Sequence, residues 1–85
     1  MTGRVGRSRT IRPVTYQETV SQYRTVTDTD GMGKALIEHC GPSDPDYLAA
    51  ARSCIAFEEG QGDAELVRAD FIRAMTTAGV FVRGA

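Results

Sequence analysis

The sequence predicts a small single-domain α+β fold, an antiparallel β-hairpin followed by three helices (ββααα), with a possible short C-terminal strand. Three observations carry that expectation. Residues 45–59 place Tyr47, Ala50, Ala51, Cys54 and Ile55 at helical spacing, and residues 64–78 do the same with Val67, Phe71, Ala74, Met75 and Ala78. From Ile11 the chain alternates instead, with Val14 and Tyr16 on one side of an extended segment. Finally, 85 residues with 41% hydrophobic and 25% charged side chains suit one globular domain and leave no room for a second.

In chain order, residues 1–10 are rich in Gly, Ser and Arg and nearly lack apolar side chains. Such a segment buries too little surface to offset the entropy of ordering, so a flexible basic tail is expected there, with the folded domain spanning 11–85. Tyr23, Thr25, Val26 and Thr27 then suggest a second strand after the polar stretch Gln17 to Gln22. That stretch has no glycine and no Asn-Gly, which leaves the turn type open. Asp28, Thr29 and Asp30 are good helix caps, and Gly31 to Cys40 forms a short helix with Met32, Ala35, Leu36 and His39 or Cys40 facing inward. Gly41-Pro42 stops it. The next helix is capped by Ser43 or Asp44, carries Pro45 in its first turn and ends at Gly60. Asp63 caps the last helix, Glu65 lies near the positive end of its dipole, and Gly79 closes it. The short link makes these two helices antiparallel neighbours, and their shared seam is expected to form the core against the sheet. Val80-Phe81-Val82 alternates and supplies the possible third strand.

Arrangements of reactive residues are few. Gly31-Met32-Gly33-Lys34 fails as a phosphate-binding loop, because Asp28 stands where the first glycine belongs and Ala35 where Ser or Thr belongs. His39 is the sole histidine, so a triad or zinc site would have to use it alone, and a Cys–His pair would need Cys54 to approach it. Cys40 and Cys54 form no CxxC pair and read as reduced, structural thiols. Glu58-Glu59 and Asp44/Asp46 read as solvated pairs, and Glu65–Arg68 and Asp70–Arg73 as surface pairs at i, i+3. No catalytic, cofactor or metal residue is assigned, and the chain is expected not to be an enzyme.

Charge is uneven although the net value is −1. Arg4, Arg7, Arg9 and Arg12 make the first twelve residues purely basic, and the rest is acidic. Those four arginines are candidate phosphate contacts, without aromatic interleaving for base stacking. No apolar run approaches the roughly 20 residues of a membrane span, and the N-terminal arginines precede no apolar stretch of a secretory leader, so the expected address is the cytoplasm.

The laid-out pattern resembles the bacterial family catalogued as domain of unknown function 982. The residues that carry it are Pro13-Val14, Val26-Thr27, Ala35-Leu36, Ala50, Cys54, Arg68, Phe71-Ile72, Ala74 and Ala78-Gly79, over roughly residues 12–82. Ala64 to Ala74, with Ala78-Gly79 closing, looks most like that family's C-terminal signature. Where such proteins often have Trp-Pro near the end of the first helix, this chain has His39-Cys40. The resemblance implies a fold and no activity.

The functional expectation is therefore a small non-enzymatic interaction or regulatory module with a protein partner or a second copy of itself. Its candidate surfaces are a strand edge near Tyr16 and Tyr23, or exposed Leu48, Phe57 and Phe81. A nucleic-acid accessory protein acting through the arginine tail is the alternative, and an enzyme or small-molecule binder stands third.

Overall fold

Alternation along the first extended segment sets up the whole molecule. The structure, a computed structural model, describes residues 10–83. Strand β1 (Val14–Thr19) and strand β2 (Gln22–Val26) pair antiparallel through a two-residue turn at Val20-Ser21. The link is thus much shorter than the polar stretch suggested. Gln17, Glu18, Thr19 and Gln22 are strand residues, and a register irregularity lies between Gln17 and Thr19. Ile11 N–H donates to Thr27 O at 2.8 Å, tying down the chain just before β1.

Helix α1 (Thr29–His39) begins two residues earlier than the glycines suggested, because Asp28 is the cap: its Oδ1 accepts from Gly31 N–H at 2.8 Å. Gly31 is needed for close approach, since a Cβ there would lie 3.1 Å from Val26 Cγ1. Helix α2 (Pro45–Glu58) is capped by Asp44, which accepts from Asp46 N–H at 2.9 Å. Helix α3 (Ala64–Thr77) is capped by Asp63 and closed by Gly79 at φ +87°, a left-handed conformation that glycine adopts without strain. Strand β3 (Val82–Arg83) then pairs antiparallel with β1, giving the sheet order β2-β1-β3. The expected third strand is present, and it makes β1 the central strand.

The core joins Val14, Tyr16 and Val26 of the sheet to Met32, Ala35 and Leu36 of α1, Ala50, Cys54 and Phe57 of α2, and Val67, Phe71, Ala74 and Met75 of α3. All three helices contribute, not the α2/α3 seam alone. The α3 stripe follows its sequence spacing. In α2 the stripe is rotated: Ile55 is exposed and Phe57 is buried, against expectation. A buried phenylalanine removes some 150–250 Å² from water, so its burial outweighs that of Ile55 when only one can face inward. The α2–α3 loop packs close on the same residue, since a Cβ at Gly62 would lie 3.0 Å from the Phe57 backbone nitrogen.

Surface polar contacts brace the ends. Arg12 forms a two-pronged pair with Glu65, Nη2 to Oε1 at 2.7 Å and Nε to Oε2 at 2.9 Å. Each group stabilises the other's charged form: the Glu65 carboxylate raises the Arg12 pKa, and hydrogen bonding by Arg12 lowers that of Glu65. Arg68 donates to the backbone carbonyls of Arg12 and Pro13 at 3.3 and 3.1 Å, so Glu65 and Arg68 both reach toward the start of β1. Ser53 donates to Asp70, linking α2 to α3. No helix among the described residues is long and apolar enough to cross a membrane.

Candidate functional site

A β-strand sends alternate side chains to opposite faces, and directly paired residues share a face. Pairing of Val14 with Val26 and of Tyr16 with Arg24 and Val82 therefore defines the inner face, which meets the helices. Thr15 pairs with Thr25 on one side and Arg83 on the other, and Gln17 pairs with Tyr23. Gln17 N–H also donates to Phe81 O at 2.9 Å, which continues the β1–β3 register by one residue. The outer face consequently presents two rows across the sheet, Tyr23–Gln17–Phe81 and Thr25–Thr15–Arg83.

Tyr23 is 47% and Phe81 57% exposed, large values for aromatic side chains, and they flank Gln17 of the central strand on one face. The Arg83 guanidinium lies 4.9 Å from the Tyr23 ring centroid, a cation–π contact that crosses β1 diagonally. Thr15 and Thr25 hydroxyls hydrogen-bond at 2.8 Å. Arg83 is the one formal charge in the two rows.

Other residues expected at a partner surface behave differently. Tyr16 is 1% exposed: its strand is central, not an edge, and its ring meets Phe71 edge-on at 6.2 Å and His39 at 5.6 Å. Burial, followed by the neighbouring Glu18, pushes its phenol up to about 12. Phe57 lies in the core, for the packing reason given above. Leu48 is exposed on α2, away from the sheet rows in sequence and element. Arg12 is engaged with Glu65, while Arg4, Arg7 and Arg9 lie outside the described residues.

A second constellation forms where α1 ends against the hairpin. Glu18 from β1 meets His39 and Glu38 from the last turn of α1. His39 Nε2 is 3.7 Å from Glu18 Oε2 and 3.9 Å from Glu38 Oε1. Arg24 Nε approaches Glu18 Oε1 at 3.3 Å, outside hydrogen-bonding geometry. Among the described residues, His39 Nε2 and Glu18 Oε1 are both buried atoms with no hydrogen-bond partner. An open groove of about 750 Å³ runs beside this cluster between β2 and α1, lined by Tyr16, Arg24, Thr25, Lys34, Ile37 and Glu38 among others. His39 thus faces Tyr16 and Glu18. Cys54 instead lines a separate groove with Tyr47, Leu36 and Ile37, and burial pushes its thiol up to about 11. Cys40 donates to Ala74 O at 3.6 Å, and burial raises its pKa too. Two protonated, buried thiols are poor nucleophiles.

Sequence spacing exposed neither arrangement fully. The outer rows depend on strand register, which no sequence pattern here specifies. Glu18 sat in what read as a polar link. The chain matches no protein-family model, no curated protein and no solved structure.

Proposed function

We propose that this chain is a small non-enzymatic interaction module that joins a second copy of itself through the outer face of its sheet. The row Tyr23–Gln17–Phe81 is the observation that carries the reading: two exposed aromatics flank Gln17 on a face that, among the described residues, lies outside the core. Aromatic and arginine side chains dominate binding energy at protein interfaces, and Arg83 adjoins the row. A two-fold axis brings the same patch of each copy together, so self-complementarity is required. These rows meet that need, because their one charge already lies over an aromatic ring and the remaining side chains are neutral. Two stacked sheets would also give each small domain the second apolar surface that its length cannot supply alone. A cytoplasmic address and kinship with domain of unknown function 982 accompany this reading. The quoted motifs of that family support the kinship.

Sedimentation equilibrium of the full chain across a wide concentration range tests the proposal. A monomer–dimer equilibrium that Tyr23→Ser with Phe81→Ser shifts to monomer by at least tenfold supports it. A monomer at all concentrations, or a dimer indifferent to the double substitution, overturns it.

One observation favours a second reading, single-stranded nucleic acid. Exposed aromatics on an open sheet face are stacking platforms for bases, and Arg83 and the N-terminal arginines could follow a phosphate backbone. Against it stands the acidic balance of the chain beyond Arg12, with six basic and eleven acidic residues. Anisotropy of a labelled single-stranded oligonucleotide at low salt separates the two readings. Binding that weakens steeply with salt and is lost with Tyr23→Ser would replace self-association as the role of this face.

A further inference from the structure

We propose that Glu18, Glu38 and His39 form a binding site for a divalent transition-metal ion of the zinc class. The inference is independent of the sheet face and concerns the opposite side of the hairpin.

Three donor atoms, one imidazole nitrogen and two carboxylate oxygens, all lie within 4.8 Å of one another. Zinc holds nitrogen at about 2.0–2.1 Å and carboxylate oxygen at about 2.0–2.2 Å, which sets tetrahedral donor separations of about 3.4 Å. The separations here from His39 Nε2, 3.7 Å to Glu18 and 3.9 Å to Glu38, need to close by only a few tenths of an ångström. Both supporting elements are regular: β1 presents Glu18, and the last turn of α1 presents Glu38 and His39.

The second observation concerns the atoms themselves. Among the described residues, His39 Nε2 is shielded from solvent and makes no hydrogen bond; Glu18 Oε1 is shielded too and faces the Arg24 guanidinium at 3.3 Å, while Oε2 faces His39. A shielded ring nitrogen without a partner is costly, and a cation held by His39 Nε2 and Glu18 Oε2 would satisfy it directly. The Tyr16 ring packs against the His39 ring at 5.6 Å and holds it toward the carboxylates. Arg24 is the competing cation, but its side chain is 59% exposed and Glu18 turns its other oxygen toward His39. An imidazole with two carboxylates suits zinc and its transition-metal neighbours, whereas calcium and magnesium prefer all-oxygen sites with more ligands. Three protein ligands leave a fourth position for water, next to the groove that Tyr16, Arg24 and Glu38 line.

Isothermal titration of the full, metal-stripped chain with zinc chloride tests the site, with cobalt(II) as a spectroscopic probe. The expected result is one ion per chain, a cobalt(II) spectrum of low coordination number, and a loss of affinity on the order of tenfold or more in Glu38→Gln and in His39→Gln. Glu38 is largely exposed, so Glu38→Gln keeps the fold and remains informative if His39→Gln does not. Cys40→Ser with Cys54→Ser should retain binding. No binding by the wild-type chain, binding that survives Glu38→Gln unchanged, or binding lost with the cysteines would each overturn the assignment.

Discussion

The two faces of the sheet are built from alternate residues of the same short strands and have opposite fates. On the inner face Val14, Tyr16 and Val26 are buried against all three helices. On the outer face Tyr23 and Phe81 stand in solvent beside Thr25 and Arg83. Alternation gives every strand residue one of these two environments, so stability is concentrated on one face and the other is left free of structural duty. Large aromatics on the free face are the part of the sheet region that folding does not explain.

Substitution breaks the comparison most sharply at the centre of the inner side. Phe71 is fully buried and meets the Tyr16 ring, so Phe71→Ala should lose about 3–5 kcal/mol in urea unfolding. A loss below about 1 kcal/mol would mean that the core is not organised around this pair.

Alkaline pH should act on the same face. The Tyr16 phenol titrates near 10 in an unfolded chain and at about 12 when folded. The folded state therefore holds this proton more tightly, and its contribution is complete below pH of about 10 and lost as pH rises toward 12. Phenolate absorbance should show a step at about 12 that Tyr16→Phe removes, together with the alkaline loss of stability assigned to it.

The outer face should behave in the opposite way. Tyr23→Ser with Phe81→Ser should change the stability of the monomer by no more than about 0.5 kcal/mol, read from urea midpoints at low concentration. A large loss would show that the outer aromatics are structural after all.

The smallest effect is expected at the Arg12–Glu65 pair, which is solvent-exposed at the periphery of the fold. Glu65→Gln should lower the urea midpoint only slightly, and added salt should erase the difference between variant and wild type.

Much of the inner face was legible in the sequence, because burial imposes periodicity. Val67, Phe71, Ala74 and Met75 repeat at helical spacing and all are buried. In α2 the signal was degenerate: Ala50 and Cys54 belong equally to a stripe ending in Ile55 or to one ending in Phe57, and only the packed structure selects Phe57. The hairpin was legible in kind but not in extent, since Val20-Ser21 carries none of the glycine or asparagine that marks a tight turn. Tyr16 read as part of a strand edge, but its side chain lies on the inner face against Phe71, and β3 pairs along the second side of its strand. The outer rows and the Glu18–His39 contact both arise from register between segments far apart in sequence, which composition and spacing leave unspecified.

The most direct test of the free outer face is a dilution series of amide ¹H–¹⁵N spectra of the full chain, from high to low concentration. Shifts are expected to concentrate at Thr15, Gln17, Tyr23, Thr25, Phe81 and Arg83, with the amides of α1, α2 and α3 unmoved. Shifts centred on the helices, at exposed Ile37 and Ile55 for example, or spectra that do not change with concentration, would contradict it.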